Sequence, residues 1–497
     1  MLEEARLELR KLIFEYYAFR NNRVSFSQLI PLPKGQRRPL QDYYSIQHHF
    51  PAIYGINRYG VPQSKPLEVK ARAKQLKAYL FPFEQLMADY LQNLQELPRL
   101  FSLDHELEQS YFSQFLDDQN IPDIEQLYAG GQASSRTLLS GILRHYDAYA
   151  ERRNRLLDTL LAMHGEEYPQ KLLLQFDCYW RENPEKWIIN NKINFLRCVR
   201  EITRDRALGY NYLKPAIRTT EQAVFENIAG AHLRINVLLG LTQYRSMPSI
   251  TEVLLARNCR LIPDRVLAQS VNFLSEEMEQ SAESIFFEAG KFAGLSIPAA
   301  LPALGYSIFK AGTELRNYRL VNSGDQTVVC LKTGQSARLW PLETKASRDE
   351  AIRYAYELCH ALTQLNIACE GFHLIEHVLL RPRGAEQSDI IPDSGSFFDF
   401  RVSVIFPSWT ARFSNPAFRK FAEETVRYNL PAHVFPEFYW IDFVYMQDFE
   451  QRYRIWLDCM QQTDPDQHSL EQLNNASKRL ITFLVKNRKE NSHACWI

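Results

Sequence analysis

Leu76, Leu80, Phe83, Met87, Tyr90, Leu94 and Leu97 step by 4, 3, 4, 3, 4 and 3 residues. Only a long helix turns such a spacing into a line, because a repeat of 3.5 residues keeps one narrow edge facing the same way. The line runs for about three heptads, so residues 68–98 are expected to form one extended helix. Pro82 is expected to kink it or mark a new start, since proline removes a backbone donor and crowds the preceding turn. Such a seam packs either on the chain's own core or on a helix of another subunit.

The segment before the seam is its opposite. Pro31, Pro33, Gly35, Pro39, Pro51, Gly55, Gly60, Pro62 and Pro66 interrupt any regular structure. Yet this stretch carries Tyr43, Tyr44, Ile46, Phe50, Ile53 and Tyr54. A solvated linker has no use for so many rings, so it reads as an ordered arm lying on its own body or on a neighbour. Residues 3–20 ahead of it have helical spacing. His48-His49 in the arm reads as ordinary polar packing.

Charge and composition narrow the function. Lys+Arg and Asp+Glu are both 58, giving a formal net charge of zero. A general nucleic-acid binder needs a basic excess to displace counterions, so that class is disfavoured. The total conceals a basic first hundred residues, with 15 basic and 9 acidic side chains, followed by 101–135 with seven acids and no Lys or Arg. Such asymmetry either guides docking or is simply solvated. Arg outnumbers Lys by 40 to 18, and the guanidinium fork favours interfaces. Aromatic residues reach 12%, against only 19 Gly, which suits packing of large rings better than a site built from glycine turns. The eight Cys form no C-x-x-C pair, as expected of buried thiols in a reducing compartment. No apolar leader is visible at the N-terminus, and the most apolar stretch, 292–304, is short and contains Pro298 and Pro302. Synthesis and folding in the cytoplasm, without a membrane span, are expected.

The fold class expected is α+β: mainly helical N-terminal and middle regions, then two small α/β units and a C-terminal helix. The divisions are 1–66 for the first helix and arm, 67–165 for the seam region, 166–304 for the helical middle, 305–385 and 386–462 for the α/β units, and 463–497 for the last helix and tail. The first unit is read as β-β-α-β. It comprises a hairpin of 318–322 and 327–332 about Ser323-Gly324-Asp325, a helix opened by the capping box Ser347 to Glu350, and a strand from His373 to Leu380. The second is read as β-α-β-α. Phe400, Val402, Val404 and Phe406 alternate along its first strand, Asn415-Pro416 opens its first helix, and 434–443 is its second strand. Phe449, Tyr453, Trp456 and Met460 line its second helix. Ser469 and Gln472 are expected to box the start of the final helix.

No nucleotide-binding glycine loop and no G-x-S-x-G is present. The one chemical motif is His373-Leu-Ile-Glu376-His377, which matches H-x-x-E-H. On a helix, His373 and His377 would share a zinc with Glu376 as base, and Glu423, Glu424 or Glu450 would supply a third ligand. The following Val378-Leu379-Leu380-Arg381-Pro382 prefers a strand, which would put Glu376 on the face opposite the two histidines. These residues are therefore read as packed framework, with no metal, no cofactor and no enzymatic activity expected; a zinc hydrolase is the alternative.

Four phrases together resemble a known family: Tyr43–Gln47 with Phe50–Ile56; Arg72–Leu80 with Phe83–Leu86; Gly371–Pro382; and Phe406–Trp409 running through Arg412-Phe413 and Phe418-Arg419 to Leu430–His433. The chain resembles baseplate wedge-type proteins of extracellular contractile injection systems, phage-tail-like particles of the antifeeding-prophage type. The resemblance covers both ends and not 100–300, and Pro82 stands where an apolar residue is expected. It implies a structural subunit joining spike and tube to the contractile sheath. Its partners would be other wedge subunits, the spike or hub, and the sheath or tube initiator, with more than one copy per wedge. It would be assembled in the cytoplasm and built into the particle. The residues expected to make contact, read from the arm and the heptad spacing, are Tyr43, Tyr44, Phe50 and Tyr54 of the arm, and Leu76, Leu80, Phe83, Met87, Tyr90, Leu94 and Leu97 of the seam. A cytoplasmic adaptor using the same seam is a further alternative.

Overall fold

The computed structural model describes residues 5–17 and 43–488, apart from 122, 129, 181–182, 204–205, 214–216, 219–226, 243–246, 286–302, 335–337, 384–396 and 463–466. The fold is α+β, with many helices and small sheets. Two compact units divide the chain: 1–100 with 108–147, and 101–107 with 148–497. Among the described residues no helix is long and apolar enough to cross a membrane.

In the first unit, residues 5–17 are helical and exposed throughout. Leu67–Leu100 is a single helix of 34 residues, about 50 Å long. It runs through Pro82, which therefore starts no new element. Two short 3₁₀ turns, Ile46–His49 and Ala52–Tyr54, order the arm. Gly55 ends the second with φ of 65°, and a Cβ there would overlap Val61 Cγ2. A later helix, Gln132–Tyr146, buries none of its residues. The apolar core is small: Ala88, Leu116, Ile121 and Ile124, flanked by Tyr43, Phe81, Leu127 and Tyr128.

The second unit is built on far larger cores. Helices Tyr149–Met163 and Pro184–Arg197 pack together around Leu157, Leu161, Ile188 and Ile193. Further along, a four-stranded antiparallel sheet has the order Glu283–Ser284, Tyr318–Ser323, Gln326–Lys332, Leu339–Lys345. Gly324, with φ of 62°, makes the expected hairpin turn. Ser347 caps the next helix, Arg348–Ala368, by accepting from Glu350 N at 3.3 Å. Its Ala355, Leu358, Leu362 and Leu365 are buried.

The strand after that helix departs from expectation in two ways. It spans only His373–Glu376, because His377–Leu380 winds into a 3₁₀ turn. Nor does it join the hairpin: it lies antiparallel to Arg401–Pro407, which in turn runs parallel to Phe435–Ile441. Helix Pro416–Asn429 connects those parallel strands, capped by Asn415, which accepts from Ala417 N at 2.9 Å. The central strand is covered on both faces. Val402, Val404 and Phe406 belong to one core and Ile405 to another, so its inward and outward positions are equally buried. Phe400 precedes the strand, has φ of 51° and is exposed, so it does not line the inward face as expected. Helix Phe443–Met460 buries Phe449, Tyr453 and Trp456 against Gln467–Lys486. Ser469 lies within this last helix, not at its cap.

Candidate interaction surface and the buried histidines

The seam helix is amphipathic in the reverse of the usual sense. Its buried residues are Ala73, Lys77, Glu84, Ala88 and Asp89. The apolar line sits roughly a third of a turn away, at 100° per residue. Leu76 and Leu80 are half-buried, whereas Phe83, Met87 and Tyr90 are more than half exposed and Leu94 and Leu97 are exposed too. Tyr79 and Leu86 add to the exposed apolar area.

Burying carboxylates is tolerable only when donors replace lost water. Glu84 accepts the hydroxyls of Tyr43 and Ser45, the latter at 2.9 Å. Asp89 accepts from Gln85 at 2.7 Å, Ser113 Oγ at 2.6 Å and Gln114 N at 3.2 Å. Asn93 clamps both backbone groups of Phe112, accepting from its N at 3.0 Å and donating to its O at 2.6 Å. Lys77 lies 3.6 Å from Asp123, and burial lowers its pKa from the ordinary value despite that neighbour. The polar side of the helix is thus stitched to the arm and to the acid-rich segment of its own unit. Asp117 and Asp118 cap turns there, accepting from Gln119 N and Glu125 N at 2.9 and 3.0 Å.

The arm divides the same way. Tyr43 is turned inward to Glu84, and Ser45 and Gln47 are buried. His48 bonds Asn120 O at 3.2 Å. Tyr44 is exposed, with the rings of His48 and His49 beside it. Phe50 is half-buried and meets exposed Tyr54 edge-on. The arm therefore lies on its own unit, with Tyr44, Ile53 and Tyr54 facing out.

The histidine motif is pulled apart. His373 Nε2 lies 2.8 Å from Glu450 Oε1, both buried. The same carboxylate accepts from Ser249 Oγ at 2.7 Å, Ile250 N at 2.6 Å, Thr251 N at 3.1 Å and Thr251 Oγ1. Burial pushes Glu450 upward, but the hydrogen bonds, His373 foremost, outweigh it and hold the acid below its ordinary value. His377 has left the strand: Nδ1 lies 2.8 Å from Phe397 O and Nε2 2.7 Å from Ser403 Oγ. A carbonyl only accepts, so Nδ1 carries the proton and Nε2 accepts the serine hydroxyl. Burial lowers His377 to about 4, keeping it neutral. Glu376 is half-buried and raised by burial. Of the suggested third ligands, Glu450 does meet His373, while Glu423 accepts from Trp440 Nε1 at 2.9 Å. Among the described residues no three His, Cys, Asp or Glu side chains are grouped to hold a metal ion.

Sequence reasoning missed a second buried charge cluster. Arg412 donates to Glu370 and, at 3.1 Å, to Leu239 O. Glu370 also accepts from Tyr179 at 2.8 Å and Thr410 at 3.3 Å. Its members are up to 233 residues apart, and no local signal announces them. Neither a protein-family profile nor a curated protein matches the chain.

Proposed function

We propose that the chain is a structural, non-enzymatic wedge component of the baseplate of a contractile, phage-tail-like injection system. In this role it links the central spike and tube to the sheath through subunit contacts, beside other wedge subunits and further copies of itself. It is assembled in the cytoplasm and carried in the particle. One observation carries the reading: the seam helix turns charged side chains inward and an apolar heptad line outward. An apolar line of that length is the usual mark of a surface that a partner covers. The resemblance of the arm, seam and C-terminal phrases to wedge-type proteins supplies the kind of partner.

The test is the double substitution Phe83→Asp and Tyr90→Asp. Both side chains are mostly exposed, so the isolated protein should fold and melt as before while particle assembly stops. Particles that assemble and contract with the double variant overturn the reading. A chain missing from purified particles would instead identify a cytoplasmic adaptor. Stoichiometric zinc, lost in His377→Ala, would support the hydrolase.

A further inference from the structure

Residues 5–17 are helical, yet every one of them is exposed. A helix this short is marginal in water and is ordinarily held by packing of one face. Its apolar face is well formed. Leu9, Leu12, Ile13 and Tyr16 stand at i, i+3, i+4 and i+7, the spacing of one stripe, and all four are exposed. At 100° per residue, Glu8, Lys11 and Glu15 fall on the other side. The same unit holds an uncovered surface of matching kind. Phe83, Met87, Tyr90, Leu94 and Leu97, with Tyr79 and Leu86 beside them, are exposed and uncharged. The unit's other exposed helix, Gln132–Tyr146, offers only Leu138, Ile142 and Tyr146.

Connectivity favours the seam. Residues 18–42 join the short helix to Tyr43, whose hydroxyl bonds Glu84. Glu84 lies near the middle of Leu67–Leu100, so either end of that helix is about 25 Å away. The connection can extend to at most about 85 Å, so the whole seam is within reach. Because the attachment is covalent, docking there is intramolecular and has the advantage over a separate partner of equal affinity.

We propose that residues 5–17 are a strap: in the unassembled chain the stripe from Leu9 to Tyr16 closes on the seam and shields it. The structure describes the open arrangement, with both faces in solvent. Closure is a property of the isolated chain. Only its consequence, that a subunit taking the seam displaces the strap, rests on the assembly reading.

Hydrogen exchange of the purified full chain, followed by mass spectrometry at two protein concentrations, tests the closure. Amides of 5–17 should exchange slower by about tenfold or more than those of a synthetic peptide with the same residues. Phe83→Asp with Tyr90→Asp should return them to the rate of the peptide. Leu12→Asp with Ile13→Asp should do the same, and should raise binding of the dye 1-anilinonaphthalene-8-sulfonate as the seam opens. Circular dichroism melting checks each variant, and the Leu12, Ile13 pair decides if the seam pair does not fold. Exchange of the wild-type chain at the peptide's rate overturns the strap. So does protection that persists in the folded seam variant, because the helix then packs elsewhere, and so does protection that grows with concentration, because the cover is then a second copy. Particle assembly lost in the seam variant with protection unchanged refutes the strap alone; protection lost with particles intact refutes the assembly reading alone.

Discussion

Glu450→Gln isolates how far one buried carboxylate organises the second unit. The side chain is 2% exposed and accepts from five donors. The hydroxyls of Ser249 and Thr251 rotate and His373 changes tautomer, so three of the five adapt to an amide. The backbone N–H groups of Ile250 and Thr251 do not. They sit on different oxygens, at 2.6 and 3.1 Å, so whichever oxygen becomes the amide nitrogen strands one of them. A stranded buried donor costs about 1–3 kcal/mol, and neutralising the acceptor weakens the remaining bonds. The sum is about 2–4 kcal/mol. The pH dependence has a definite sign. Glu450 is held below its ordinary 4.5, so its contribution is complete above that value and disappears as pH falls through the lower, folded value. Urea unfolding of the isolated protein, followed by circular dichroism at pH 7 and again below pH 4, measures both. The wild-type and variant curves should separate at pH 7 and converge in acid. Coincident curves at pH 7 refute the hub, because they would mean that those donors have other acceptors.

Two further outcomes follow from single positions. Gly55→Ala places a Cβ at positive φ against Val61, at a cost of about 1–2 kcal/mol; hydrogen exchange in 43–61 should quicken about tenfold, and unchanged protection contradicts the packing of the arm. His377 is neutral because its pKa is lowered from 6.5 to about 4. The unfolded chain therefore takes up the proton first, and stability falls as pH drops from 6.5 towards 4, by about 3 kcal/mol at the lower end. His377→Gln should flatten the urea midpoint across that window, and an unaltered slope excludes the histidine as its source.

The elements that could be read from the sequence are those with local chemistry. Gly324 in the hairpin, Ser347 before Glu350, and Asn415-Pro416 each set a boundary through their own backbone preferences. The heptad line gave the helix its existence and length. Harder to read was Leu339–Lys345, because Pro341 argues against a strand; it survives as the outer strand of its sheet, where a missing donor matters least. The partner of His373–Glu376 was not legible either, since an antiparallel pairing with 401–407, far along the sequence, leaves no periodic trace. Glu450, two hundred residues from Ile250, reads on its own as one more acid on a helix. Phe400 continued a convincing alternation, and only its left-handed backbone removes it from the strand.

Periodicity reports that a helix has two unlike sides, and not which side the fold uses. In the second unit the usual rule holds. Helix Phe443–Met460 buries its rings, and its one buried acid is Glu450 with its full set of donors. In the first unit the rule reverses, and the reason lies in the partners available within the chain. The segment facing the seam helix offers Ser113, Gln114, Asp123 and the backbone of Phe112, which suit Asp89, Lys77 and Asn93 better than they suit leucines. Polar contacts of that kind fix a register without contributing much net stability, and the apolar core beside them is small. A unit assembled this way gains further stability only when its outward rings are covered. Thus the features that make the seam helix poor at stabilising its own unit are the ones that make it suited to a subunit interface: charges already matched inside, an apolar line outside, and one helix that continues through Pro82.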